Sequence, residues 1–212
     1  MKLYGYFRSS AAYRVRIALN LKNIPVEHAF VHLRRDEQSA TDYRGKNPFG
    51  LVPTLEHDGQ CLTQSLAIIE YLDEIQRDPP LLPRSAVDRA YVRSIALSIA
   101  CDIHPLNNLR VLNYLAQNLS VQDAARDAWF THWVDIGLRA VEQVLRRDAR
   151  VGTYCCGDRP SLADICLVPQ VFSAERVKYD LSEMPTIMRI VGAARRHPAF
   201  AAAAPEIQPD AQ

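Results

Sequence analysis

The chain has 212 residues, and its 25 Lys and Arg stand against 24 Asp and Glu for a formal net charge of +1. That length suits one or two small domains with a real core, and the near-zero charge gives no electrostatic case for nucleic acid or an anionic membrane as partner. No apolar run approaches the roughly 20 residues of a spanning helix and no secretory pattern opens the chain, so a soluble, cytoplasmic protein is expected.

The chain opens on a short alternating strand near 2–7, with Leu3, Gly5 and Phe7 set against Tyr4 and Tyr6. It runs straight into Arg8, Ser9, Ser10 and Ala11, where an apolar-periodic helix begins, near 11–23. Hydroxyls beside the unpaired amides of a helix start form a site for an anion, and Arg8 adds a full positive charge. A simple N-cap also accounts for either serine. A second strand is placed near 26–32, and the polar run from Arg34 to Thr41, which holds Gln38, reads as a surface loop. Val52-Pro53-Thr54-Leu55 then opens a strand near 53–57, with its proline where a missing amide is tolerated. Asp58-Gly59 is a hairpin signal to a strand near 60–63, and Gln64-Ser65 caps a helix near 65–77 carrying Leu66, Ile69 and Leu72 at helical spacing. A cis Val52–Pro53 bond would leave the Val52 backbone free to pair with another peptide, but the sequence does not disclose the isomer.

A proline-dense connector at 79–84 separates a first domain, 1–78, from an all-helical one, 85–200, and the tail from 201 to 212 is small, polar and expected to be loosely held. In the helical domain Val92, Ile95, Ile99 and Ile103 form one apolar stripe; Trp129, Trp133, Ile136, Ala140 and Val144 form a second, with both tryptophans read as core. Between the stripes lies the polar cluster from Asp102 to Arg110, where Pro105 should bend the helix. His104 taken alone there reads as a structural histidine. Ser161 and Asp164 stand at capping-box spacing, a helix start and not a catalytic pair, and Pro169 should kink the helix that follows. The five cysteines show no metal-site or Cys-x-x-Cys spacing and are read as buried, inert thiols. No metal is expected.

The opening strand–Ser9–Ser10–helix, the Asn47-Pro48 to Leu55 segment, the helix from Gln64 to Leu72, and the Ser161 to Val171 stretch leading to Arg176 resemble the zeta class of glutathione transferases. Members of that class include glutathione-dependent maleylacetoacetate and maleylpyruvate isomerases. The resemblance covers nearly the whole chain with its motifs in order, and implies an α/β, thioredoxin-like first domain with an all-α second one. One departure matters: the zeta pattern is usually Ser-Ser-Cys, and position 11 here is alanine.

Cis–trans isomerisation of a conjugated double bond needs a nucleophile that adds reversibly, leaving a single bond that can rotate, and a thiolate suits this. With Ala11 at the likeliest cysteine position, the sequence favours a borrowed thiol, glutathione. The resemblance implies that Ser9 donates to its sulfur, with Ser10 and Ala11 at the helix start adding electrostatic support. It further implies that Val52 pairs with the cysteinyl backbone in a geometry set by Pro53, that Gln64 and Ser65 hold the γ-glutamyl carboxylate, and that Gln38 lies near the glycyl end. A small dianionic substrate would be met by Arg8 and Arg176, arginine being the residue that takes carboxylates bidentately. Relatives line their pocket with the His104–Arg110 segment, so His104 and Asn108 could touch glutathione or substrate. Arg110 replaces a smaller neutral residue of many maleylacetoacetate enzymes. That extra cation favours maleylpyruvate, an intermediate of gentisate breakdown, over maleylacetoacetate. The alternatives are maleylacetoacetate isomerisation and a general zeta-class transferase acting on small α-haloacids. A homodimer is expected from the fold.

Overall fold

The computed structural model describes residues 1–211, which divide into two compact units. The first is Met1–Leu81 joined by the chain from Arg196 onward, and the second is Leu82–Arg195.

The first unit is built on a four-stranded mixed sheet in the order β2-β1-β3-β4. Strand β1 (Lys2–Gly5) pairs parallel with β2 (Glu27–Phe30) and antiparallel with β3 (Thr54–His57), which forms a hairpin with β4 (Gln60–Thr63). Leu3 lies opposite Leu55 in the central pair, and both are buried, as are Ile17, Ile68, Ile69 and Leu72. Helix α1 (Ser10–Leu21) packs on α3 (Ser65–Ile75), and the short α2 (Thr41–Lys46) follows the polar run that carries Gln38. Helix α1 is buried on nearly every side, and Arg14 and Arg16 within it and Lys22 at its C-cap are buried with their charged ends donating to oxygen acceptors. Lys22 Nζ lies 2.5 Å from Asp73 Oδ1, 2.6 Å from Gln76 O and 2.5 Å from Pro79 O, fastening the end of α1 to the end of α3.

The end of the chain, which composition alone marks as loosely held, makes specific contacts in this unit. After α9 (Pro198–Ala201), Ala203 is fully buried, its carbonyl accepts from Arg16 Nε at 3.1 Å, and Asp210 Oδ2 accepts from the Phe7 amide at 2.9 Å. Gln212 lies outside the described residues.

In the second unit α4 (Ala86–Leu97) packs on α7 (Leu162–Arg176), which is buried along most of its length and is correspondingly apolar on all sides. Asp164 takes the Ser161 N–H and O–H and the Cys155 N–H, so it terminates the helix start as the spacing predicts. Beyond α4 the chain passes through a π-helical turn, Ser98–Ile103, and a 3-10 turn, His104–Asn107, so the helix changes type and stops where a bend at Pro105 is expected. Asn108 caps α5 (Leu109–Gln117), and α6 (Asp123–Arg147) and α8 (Pro185–Arg196) complete the helices. A Cβ on Gly137 would sit 2.3 Å from the Ile103 side chain, so only glycine lets α6 meet the π turn this closely.

The first predicted stripe is core: Val92, Ile95, Ile99 and Ile103 are buried. The second needs correction. Helix α6 has two apolar faces, and the buried one carries Phe130, Val134, Leu138, Val141 and Leu145. Ile136 and Val144 are exposed, Trp129 and Trp133 are half-buried, and Trp133, Ile136, Ala140 and Val144 line one side of an open cleft against Ser94, Ser98 and Asp102.

Candidate active site

The β1–α1 junction brings an arginine, a hydroxyl and a helix start into one corner. Ser9 adopts extended backbone angles as the N-cap, its N–H donates to Tyr6 O at 3.0 Å, and its Oγ accepts from Ala12 N at 3.2 Å. A hydroxyl that accepts a hydrogen bond still has its own proton to give. The cap and the donor readings of Ser9 are therefore compatible. Ser10, buried at the first helical position, and Ala11 present further amides, and no acidic residue in the first turn competes for an anion. The Arg8 guanidinium lies 5.0 Å from the centre of the buried Phe7 ring.

The Val52–Pro53 peptide is cis. Among the described residues the Val52 backbone makes no hydrogen bond. The turn that presents it is held from behind. Asn47 Nδ2 donates to Leu51 O at 2.8 Å and Thr54 Oγ1 at 3.1 Å, Tyr43 Oη donates to Leu51 O at 2.6 Å, and Asn47 Oδ1 accepts from Phe49 N at 3.1 Å. Burial pushes the Tyr43 phenol above its ordinary range, so it remains a donor. These contacts give Asn47 its job in the Asn-Pro-x-x-x-Val-Pro-Thr segment, which the sequence left without one. Tyr6, Phe7 and Val52 share one apolar cluster, so the serine corner and the valine turn are neighbours.

Helix α3 starts from Gln64, a non-glycine residue at φ 69°, ψ 116°, with no side-chain cap and no acidic residue in the first turn. Such strain is tolerated where the surroundings fix it, and it clusters at ligand sites. Ser65 Oγ accepts from Arg14 Nη1 at 3.3 Å, which sets a buried cation behind this second anion-attracting helix start. Gln38 is half-buried: its Nε2 donates to Asp36, and its buried Oε1 makes no hydrogen bond among the described residues. Its carbonyl lies 3.2 Å from where a Cβ on Gly50 would stand, and Gly50 has φ +59°, so glycine lets the valine turn close on Gln38. Packing thus links the serine corner to the valine turn, and the valine turn to Gln38. The donor set of the first unit fits glutathione: two helix starts for negative groups, an open backbone edge for a peptide, and a hydroxyl proton for a thiolate.

The remaining candidates lie in the second unit. His104 is half-buried in the 3-10 turn, Asn108 Oδ1 accepts from Arg110 N at 3.1 Å, and the side chains of Arg110 and of Arg176, at the end of α7, are exposed.

The cysteine expectation holds for part of the set. Cys155 and Cys166 are buried, and burial, with Asp164 adding to it, pushes the Cys155 thiol well above its ordinary range. Cys61 and Cys101, however, are exposed: each sits on the outer face of its element, a placement that apolar neighbours in sequence do not reveal. All five are free. Among the described residues no cluster of His, Cys, Asp and Glu could hold a metal ion. Sequence reasoning missed Arg14, Asn47 and Asp210, whose roles depend on partners 51, 7 and 203 residues away in sequence.

Residues 1–74 match the N-terminal domain family of the glutathione S-transferases, and residues 123–203 match the C-terminal domain family. A probable maleylacetoacetate isomerase of Vibrio cholerae is 52% identical over 211 residues, covering 99% of this chain and 97% of the relative. The holo structure of maleyl pyruvate isomerase, a bacterial zeta-class glutathione S-transferase, superposes with a TM-score of 0.98 at 45% identity, covering 100% of both chains. Maleylacetoacetate isomerase of Methylobacterium extorquens AM1, crystallised with malonate and glutathione, gives 0.97 at 40% identity, again covering 100% of both chains.

Proposed function

This chain belongs to the zeta class of glutathione S-transferases, and we propose that it is a glutathione-dependent cis–trans isomerase converting maleylpyruvate to fumarylpyruvate. The observation that carries this reading is Ser9, whose oxygen is taken by the Ala12 amide while its proton remains to be given, at a helix start where position 11 has no thiol. Glutathione, when bound, supplies a thiolate that adds reversibly to the conjugated double bond, permits rotation and is released unchanged.

The chain's own residues do the rest. Ser9 donates to the sulfur, and a hydrogen bond to the charged form lowers a thiol pKa; the amides at Ser10 and Ala11 act in the same direction. Val52 offers its N–H and C=O to the cysteinyl residue, with Pro53 fixing the turn. Gln64, Ser65 and the α3 amides take the γ-glutamyl carboxylate, and Gln38 borders the glycyl end. Because Arg14 already donates to Ser65 Oγ, the Ser65 proton is directed elsewhere, which suits a carboxylate. Arg8, braced on Phe7, is assigned to a substrate carboxylate. In the helical unit, Arg176 and Arg110 are assigned the same task, and His104 and Asn108 to contact with glutathione or substrate.

A second reading, maleylacetoacetate as substrate, is favoured by the Vibrio cholerae relative. One experiment separates the readings: conversion of each compound by purified protein, with and without glutathione, while total thiol is followed. Glutathione-dependent isomerisation of maleylpyruvate at constant thiol, with the higher kcat/KM, supports the first. Activity without glutathione would require a protein nucleophile and overturn the Ser9 assignment, and preference for maleylacetoacetate would transfer the substrate. We further propose a cytoplasmic homodimer serving gentisate breakdown. No helix among the described residues is long and apolar enough to cross a membrane, and the α4–α6 face leaves Ile136 and Val144 exposed along a cleft of about 280 Å³, a surface that a second copy would cover.

A further inference from the structure

We propose that residues 203–211 form a clamp on the β1–α1 loop and that Asp210 is a positioning residue, acting through the Phe7 amide on Ser9 and Arg8. Phe7 lies past the end of β1, so the sheet does not pair its backbone; the clamp supplies the partner of its N–H, and Arg16 of α1, itself held by the clamp, supplies the partner of its C=O. Asp210 Oδ2 takes the Phe7 N–H at 2.9 Å. Arg16 Nη2 donates to Phe7 O at 3.0 Å while its Nε donates to Ala203 O at 3.1 Å, so one buried guanidinium ties the loop to the late segment. Ala211 packs against the apolar cluster of Tyr6, Phe7 and Val52. The loop itself is tight, with Ser9 N bonded to Tyr6 O at 3.0 Å, so a shift of Phe7 is transmitted to Ser9 within the same turn. The Phe7 ring also carries the Arg8 guanidinium. Two contacts from residues 203–211 thus reach Phe7, two residues before the thiol donor, and a third reaches it through Arg16; a hydrogen bond to a carboxylate is the stronger kind.

This inference rests on the reading of Ser9 as the thiol donor, and the test separates the two. Asp210→Ala, Asp210→Asn and Ser9→Ala are compared by steady-state kinetics, by the ultraviolet thiolate absorbance of bound glutathione against pH, and by hydrogen exchange of the Phe7 amide in the glutathione-free protein. Asp210→Ala should speed Phe7 exchange, raise the pH at which the bound thiol ionises and lower kcat about 10-fold, with a KM for glutathione within about twofold, since misplacement by about 1 Å can cost up to 100-fold. Asp210→Asn keeps a carbonyl acceptor and should recover most of the loss. If Ser9→Ala moves the thiol ionisation and Asp210→Ala does not, the clamp has no positioning role. An equal fall in kcat and affinity that asparagine does not repair would make Asp210 merely structural and also overturn the proposal. An unmoved thiol in Ser9→Ala would remove the donor assignment and this inference together.

Discussion

Replacing Asn47 by alanine tests whether the valine turn is held from behind. Asn47 is 1% exposed and its side chain makes three hydrogen bonds, to Leu51 O, to Thr54 Oγ1 and from Phe49 N. Each is worth about 1 kcal/mol net, and more where a buried partner is left unsatisfied. Tyr43 Oη still serves Leu51 O and Thr54 Oγ1, and the Phe49 amide can turn to water because that residue is 66% exposed. The loss should therefore stay near 2 kcal/mol, a fall in Tm of about 4–8 °C for a chain of this size. The same change loosens the backbone edge at Val52, so the KM for glutathione should rise several-fold with a smaller effect on kcat. Asn47→Asp keeps the acceptor for Phe49 N and loses both donors, and should be at least as damaging. Thermal unfolding without glutathione and steady-state kinetics at varied glutathione read the two effects. A Tm within 1 °C of the parent, by the same scaling under about 0.5 kcal/mol, would refute the reasoning.

Lys22→Met should cost about 3–5 kcal/mol in urea unfolding, because it strands Asp73 and the Gln76 and Pro79 carbonyls with no cation among them; an effect below about 1 kcal/mol would contradict this. Alkylation at neutral pH followed by peptide mass mapping should label Cys61 and Cys101 and spare Cys155. Burial and Asp164 raise the Cys155 pKa, so its thiolate fraction at a given pH is smaller and labelling should start only at higher pH; equal labelling rates would refute that assignment. Ile136→Glu puts a charge on the exposed α4–α6 face and should shift the protein toward a monomer in sedimentation, whereas an unchanged mass would show that this face does not pair.

Local chemistry made much of the first unit legible. Alternation marked β1, Asp58-Gly59 marked the β3–β4 hairpin, and hydroxyl residues marked the starts of α1, α3 and α7, because each signal acts within a few residues. The resemblance supplied most of the ligand roles. What stayed hidden depends on distance or on choosing between equals. Helix α6 carries two apolar faces at helical spacing, and periodicity alone cannot tell which one is buried; Gly137, which admits Ile103 of the π-helical turn, was the missed sign. The isomer at Val52–Pro53 has no local code in these residues. Small polar composition after residue 201 concealed specific anchors, because Ala203 contributes a carbonyl and Asp210 a carboxylate to partners near the other end of the chain.

The first unit is discontinuous, and this bears on the order in which the protein can be made. Domains on a growing chain generally fold from the N-terminal side onward. Here residues 1–81 emerge first, yet two of the anchors of the Phe7 loop, Ala203 and Asp210, are synthesised only after the whole of 82–195. The helical unit has its complete sequence in hand before the sheet unit does. A nascent chain can therefore hold a finished helical unit while its serine corner still lacks the anchors from Ala203 and Asp210.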